Sequence, residues 1–339
     1  MNDSFSCTLS DGRILEVKVL TYPLPAQEQW TLVSLWRTDW KKTDYDWLQS
    51  MHGDYSDALK IQSLIGTVEG VPAGTATVNY PCREAEVAVN GSVLTHPDFR
   101  RLGIAAHLTN AMSDLVFAAG CKVAYMGGER IPNNVYLRCG YDWHSGGVLR
   151  RAAPGCDECE NEFFAPGQKV TLRPATWGDT SGFTCLAVQP LDTWVLDYPR
   201  GYLSGKYVLL KRCVSLFPNL YDQVTDGGGV VTVMIGEAAH RVLGFGSLTP
   251  GPAPARQHQA VVDVAAQDHY IDRLPDLLEH LKDEARRLEI QTLQAFVADQ
   301  DQVKKENFLH AGFQPVAELS GQLQAGNREV KVAILQMAF

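Results

Sequence analysis

A short basic stretch, Arg100-Arg101-Leu102-Gly103-Ile104-Ala105-Ala106, has the make-up of an anion-binding loop. An extended run ending at His96-Pro97-Asp98-Phe99 leads into it. Beyond it, Ile104, Leu108, Met112 and Leu115 recur as the apolar stripe of an amphipathic helix. The first turn of a helix has backbone N–H groups without intrahelical partners, and the helix dipole adds positive potential there. A phosphate satisfies both. Gly103 lets the backbone approach an anion with no Cβ in the way, and Ala105 is small enough for the same purpose. Arg100 and Arg101 can add charge-assisted hydrogen bonds. Upstream, Trp36, Trp40, Asp44 and Tyr45 lie in a segment that mixes aromatics with carboxylates. Such a mixture can hold a cationic amine by cation–π contact and ion pairing, or pack helices onto a sheet.

The elements that must position this loop follow from periodicity. Arg13 to Leu20 reads as a strand and Pro25 to Trp36 as a helix. Ile61 to Val68 and Thr75 to Tyr80 alternate like strands across a turn at Glu69-Gly70. Glu86 to Thr95 is the strand before the loop, and Cys121 to Met126 the strand after its helix. A short helix around Asn134 to Cys139 ends at Gly140, and a last strand begins at Val148. Residues 151–167 carry Pro-Gly breakers and clustered acids, the mark of a connection between domains.

The same order then recurs. Lys169 to Arg173 is a strand, with helical material through Phe217. A hairpin spans Val230 to Ile235 and Val242 to Leu248, and Ala260 to Ala265 is a further strand. An amphipathic helix around Leu274 to Leu288, a strand at Leu293 to Val297, a helix at Gln302 to His310 and two closing strands complete it. The expected plan is an internal duplication: a domain at 1–150, a linker at 151–167 and a second domain at 168–339.

Two segments resemble known motifs. Arg100 to Ala105 fits R-x-x-G-x-A, which is similar to motif A of the GNAT N-acetyltransferase superfamily. Further on, Asn133-Asn134-Val135-Tyr136-Leu137-Arg138-Cys139-Gly140-Tyr141 is similar to motif B, where a tyrosine lies four residues before a Gly-aromatic pair. The resemblance covers roughly residues 10 to 150 by motif, and the second half by element order alone. It implies an α+β fold of two GNAT-like domains, each a mixed, mostly antiparallel sheet flanked by helices. It implies acetyl-CoA as acyl donor, with the pyrophosphate on the backbone amides from Arg101 to Ala106 and the pantetheine arm along Leu94, Thr95 and His96.

The chemistry implied is transfer of an acetyl group from the thioester to a small-molecule primary amine. Motif B places Tyr136 as the general acid that protonates the departing thiolate, a role open to a phenol, which is protonated at neutral pH. Backbone N–H groups near Leu94 and Thr95 would hold the carbonyl oxygen as it gains charge. The family often carries a glutamate where this chain has Val89, so no residue is assigned as base; Glu84 and Glu86 stand nearby. The acceptor wall of the family falls on the segment with Trp36, Trp40, Asp44 and Tyr45. Two other readings keep the same loop: a non-catalytic acyl-CoA-binding or sensing protein, and an acyltransferase using a longer acyl group.

The second half does not repeat these motifs. Its strand runs into Gln267-Asp268-His269-Tyr270-Ile271-Asp272-Arg273, with acids where an anion would sit and no glycine. Phe308 stands four residues before Gly312, where a tyrosine would be needed. A degenerate copy is expected, with one acetyl-CoA site per chain.

Bulk properties bound the rest. The 39 acidic against 30 basic residues argue against a partner of phosphate backbones. No signal peptide or membrane-length apolar run is visible, and scattered cysteines suit reduced thiols in a cytoplasm. Cys156 and Cys159 form the one CxxC pair, short of the four ligands a structural zinc needs, so no metal is expected. An oligomer is possible but nothing indicates one.

Overall fold

The computed structural model describes residues 4–38, 51, 53, 55–128, 135–145, 147–189, 216–237, 240–325 and 328–339. The chain divides into two compact units. The first holds the described residues of Met1–Cys159, Thr176–Thr184 and Leu209–Pro218; the second holds those of Glu160–Ala175, Cys185–Val208 and Asn219–Phe339.

The first unit contains β1 (Ser4–Thr8), β2 (Ile14–Thr21), α1 (Ala26–Trp36), β3 (Leu59–Val68), β4 (Val71–Pro81), β5 (Val87–Thr95), α2 (Ile104–Ala118), β6 (Val123–Gly127), α3 (Val135–Arg138), β7 (Asp142–Ser145) and β8 (Val148–Ala152). They build an eight-stranded sheet in the order β1-β2-β3-β4-β5-β6-β8-β7. The β3–β4 turn sits at Glu69 and Gly70, both at positive φ (52° and 78°), the backbone that suits a two-residue hairpin in a twisted sheet. All pairs are antiparallel except β5 with β6. That parallel pairing runs only from Val87↔Val123 to Val89↔Tyr125, after which the strands part.

On its other edge β5 carries a bulge. Thr75 faces Leu94 but Thr77 faces Gly91, so β5 has one residue more than β4 over this stretch, and Ser92 sits at φ 50°. The core lies under α2, where Ile104, Leu108 and Met112 bury against Leu64, Ala76 and Val78 of the sheet. Gly74 allows this close seating, since a Cβ there would lie 2.6 Å from Ile104 Cγ2 and 3.0 Å from the Leu94 carbonyl.

Past α4 (Cys159–Phe163), the chain continues with β9 (Thr171–Pro174), α5 (Thr180–Val188), α6 (Leu216–Asp226), β10 (Val230–Ile235), β11 (Val242–Pro250), β12 (Gln259–Ala266), α7 (Leu274–Arg287), β13 (Thr292–Ala298), α8 (Gln302–His310), β14 (Gln314–Ala325) and β15 (Arg328–Ala338). Their sheet runs β9-β10-β11-β12-β13-β15-β14, the order of the first sheet without β1. Here too one pair is parallel, β12 with β13, and it ends after three positions at Val261↔Gln294. Both sheets are therefore mixed and mostly antiparallel, with helices flanking them.

Several boundaries differ from the sequence reading. Strands β1 and β7 were not anticipated; each is short and sits at a sheet edge, where little burial patterns the sequence. Helical structure includes α5 and does not stop at Phe217, since α6 continues to Asp226. Pro218 falls in the first turn of that helix, where a missing N–H costs no hydrogen bond. In the stretch read as linker, 151 and 152 complete β8 and Cys159–Phe163 form α4. Among the described residues, no helix is long and apolar enough to cross a membrane.

Candidate functional site

Strand β5 ends at Thr95, and Pro97–Phe99 form one 3-10 turn, with the Asp98 N–H donating to His96 Nδ1 at 3.3 Å. The loop that follows is braced from outside. The Ser10 N–H donates to the Leu102 carbonyl at 3.3 Å, and the Arg13 guanidinium lies 5.5 Å from the centre of the Phe99 ring. Arg101 (φ 66°) and Gly103 (φ 92°) both adopt left-handed backbone, and Gly103 is the N-cap of α2. A Cβ at Gly103 would meet nothing closer than the His107 ring at 3.7 Å, so glycine is required there by the dihedral rather than by crowding.

This conformation has a consequence for the amides. The N–H groups of Arg101, Leu102, Gly103, Ile104 and Ala105 make no hydrogen bond to the described residues; the next two, Ala106 and His107, both donate to the Gly103 carbonyl. Amides without a partner among the described residues at a helix start, beside two exposed arginines, are an arrangement that can hold an anion of phosphate type. Leu94, Thr95 and His96 lead directly into it. Leu94 and Thr95 pair with β4 on one edge, while on the edge toward β6 they have no strand partner among the described residues. Thr95 Oγ1 is buried and makes no hydrogen bond to the described residues.

Tyr136 lies on α3, half-buried against the cluster under α2. Its carbonyl accepts from the Cys139 and Tyr141 N–H groups at 2.9 and 3.1 Å, a turn closed by Gly140 at φ 79°. Buried Cys139 then ties this turn to α2, its Sγ 3.7 Å from the Ala106 carbonyl. The two sequence motifs thus meet through residues 106 and 139.

The remaining candidates are dispersed. Val89, in the position where a base was sought, is fully buried and apolar. Glu86 is paired with Lys122 at 3.2 Å. Trp36 is buried at the end of α1, 2% exposed, as part of the core. Trp40, Asp44 and Tyr45 lie outside the described residues, as do Asn133 and Asn134. One aromatic contact was not foreseen: Tyr55 stacks on Trp177 with ring centres 3.3 Å apart, and Ser181 Oγ reaches Asn79 Oδ1 of β4 at 3.5 Å. Nothing in the local sequence links positions so far apart.

At the matching place in the second unit, Asp268–Arg273 form a 3-10 helix. The His269 N–H is taken by Gln267 Oε1 and the Tyr270 N–H by the Gln267 carbonyl. Phe308 is fully buried.

Residues 25–141 match the family model described as acetyltransferase (GNAT) family. No curated protein matches the chain. Similar solved structures include a ribosomal-protein-alanine N-acetyltransferase from Brucella melitensis, 17% identical, covering 50% of this chain and 99% of that one with a TM-score of 0.41. Another is a GNAT-family acetyltransferase from Streptococcus pneumoniae, 17% identical over 50% of this chain and all (100%) of that one, TM-score 0.42. A third is a phosphinothricin acetyltransferase from Sinorhizobium meliloti in complex with AcCoA, 14% identical, covering 50% of this chain and 88% of that one, TM-score 0.41.

Proposed function

Residues 25–141 match the acetyltransferase (GNAT) family, and from that premise we propose that the chain is an acetyl-CoA-dependent N-acetyltransferase acting on a small-molecule primary amine. The observation that carries this reading is the row of unpaired amides from Arg101 to Ala105, next to the open edge of β5. A pyrophosphate would be held by those amides and by Arg100 and Arg101, and the pantetheine arm would lie along Leu94, Thr95 and His96. The bound cosubstrate supplies an acyl group activated as a thioester. Tyr136 holds the proton that the sulfur takes up as the C–S bond breaks and the amide C–N bond forms. The second unit is read as a catalytically silent copy, with the domain split near residues 151–167. The buried Val89 leaves the amine to arrive neutral or to lose its proton to water.

A panel of primary amines with detection of released thiol tests the activity. Tyr136→Phe is expected to lower turnover by about a hundredfold, at the low end of what a general acid contributes, with little change in acetyl-CoA affinity. A variant as fast as the parent removes Tyr136 from the chemistry. Tight CoA binding without thiol release for any amine would favour a binding or sensing protein instead.

A further inference from the structure

Of the cysteines, Cys156 and Cys159 alone stand three positions apart, and two successive turns lead into and through them. Ala153-Pro154-Gly155-Cys156 closes with the Cys156 N–H donating to the Ala153 carbonyl at 3.0 Å. Proline in its second position and Gly155 at φ 78° in its third are the preferences of a type II turn. Cys156-Asp157-Glu158-Cys159 closes next, the Cys159 N–H donating to the Cys156 carbonyl at 3.3 Å. A β-turn holds its end Cα atoms within about 7 Å, and a disulfide spans about 4.4–6.8 Å between Cα atoms. The second turn is pinned from β8, where one Arg150 nitrogen donates to the Asp157 carbonyl at 2.7 Å and to Cys159 Sγ at 3.8 Å. Both sulfurs are thiols in the structure. Cys156 is half-buried and Cys159 is buried, 8% exposed. The two residues between them, Asp157 and Glu158, are exposed acids.

An accessible thiol with a sheltered one a single turn away suits stepwise thiol–disulfide exchange, in which the first attacks and the second resolves. We propose that Cys156 and Cys159 are a dithiol site that closes to a disulfide by exchange with a low-molecular-weight disulfide, cationic in preference to anionic. The Cys156 thiolate attacks one sulfur of the incoming disulfide. The S–S bond breaks, one half leaves as a thiolate and takes up a proton, and a mixed disulfide remains on Cys156. The Cys159 thiolate then attacks the Cys156 sulfur and expels the second half. In sum the two protein thiols lose two electrons and two protons, and the small disulfide is reduced to two thiols. Arg150 sets positive charge beside the sulfur that must carry negative charge in the second step. Asp157 and Glu158 give the approach to Cys156 a negative potential, which attracts a cationic disulfide and repels an anionic one. This chemistry does not depend on the acyl-CoA reading.

The test treats the full chain at low salt with cystamine, which is cationic, or with oxidised glutathione, which is anionic. Remaining thiols are then blocked, and the peptide holding both cysteines is weighed by mass spectrometry without reduction; the exposed Cys82 lies on another peptide. The parent peptide is expected to lose two hydrogens, and to do so faster with cystamine. The gap between the reagents should narrow as added salt screens Asp157 and Glu158. Cys159→Ser should stop at a cysteamine adduct on Cys156. If that buried substitution does not fold, Cys156→Ser decides instead: Cys159 should then carry no adduct, because it resolves and does not attack. A parent peptide that keeps both thiols, or that stops at an adduct, overturns the proposal, and so does an adduct on Cys159 in the Cys156→Ser chain. Equal rates for the two reagents at low salt overturn the preference for cations.

Discussion

After β5 the chain enters α2 through two left-handed residues, Arg101 and Gly103, and several amides make no hydrogen bond to the described residues. After β12 it enters α7 through a 3-10 helix, Asp268–Arg273, in which no residue has positive φ and the first amides are consumed internally. The strands before these turns differ in the same sense. Strand β5 bulges against β4 at Gly91–Val93, whereas β12 pairs with β11 without a break from Ala260 to Ala266. Beyond the parting of the strands, the second unit also carries a bridge. Lys304 on α8, the helix after β13, makes a buried ion pair with Asp263 on β12, two residues past Val261. The first unit has Asn90 there, its buried Oδ1 without a hydrogen-bond partner among the described residues. One topology thus appears in two conditions, one with amides and a strand edge that have no partner among the described residues, the other satisfied from within.

The largest expected effect comes from breaking the bridge. Lys304 is 1% exposed and Asp263 5%. Lys304→Met strands a buried carboxylate and should cost about 3–5 kcal/mol in denaturant unfolding of the second unit. Adding Asp263→Leu removes the stranded charge and should recover much of that loss. A single variant within about 1 kcal/mol of the parent, the worth of a surface pair, would mean the two groups are solvated and do not close this unit. Next in size is Gly103→Val. A β-branched side chain at φ 92° is a genuine outlier, so the loop must rearrange and scatter its amides. Acetyl-CoA affinity should fall about a hundredfold, near 2.7 kcal/mol, in calorimetry. A loss below about threefold would place the phosphates elsewhere.

Much of this contrast was legible in the sequence, for physical reasons. Gly103 against Asp268 and Asp272, and Tyr136 against Phe308, are differences in local chemistry at helix starts, and local chemistry shows in one stretch of chain. The order of most elements along the chain was legible because the amphipathic stripes of α2 and α7 and the hairpin at Glu69-Gly70 have short periods. What escaped were pairings between distant residues. Lys304 reads as one more polar residue on a surface helix, since Val303 and Leu309 on the same helix are exposed and no apolar stripe marks its inner face. Asn90, Ser113 and Tyr141, which meet at the Tyr141 hydroxyl, come from β5, α2 and the turn after α3, so no spacing rule joins them. The bulge at Ser92 is a register property of two strands and leaves no mark in either alone.

A smaller effect sharpens the contrast on the alkaline side. Tyr80 of β4 packs in the core of the first unit with its hydroxyl donating to Gln62 Oε1 at 2.8 Å. Burial pushes its pKa up to about 12, with the Cys121 and Cys82 thiols adding to the rise. Its unfolded value is near 10. A folded pKa above the unfolded one means that the unfolded chain releases its proton first as pH rises. The stability held by the neutral phenol is therefore complete below about pH 10 and lost as pH climbs toward 12. Discounted for partial solvation, this is about 1–2 kcal/mol. Tyr22 and Tyr141, also in the first unit and also raised by burial, act in the same direction. Thermal unfolding should accordingly show the first unit losing stability above pH 10, and Tyr80→Phe should make that decline shallower, with the pH 7 value changed mainly by the lost bond to Gln62. Identical slopes for parent and variant between pH 10 and 12 would show that Tyr80 ionises as easily folded as unfolded, and that the core beneath α2 admits water at β4.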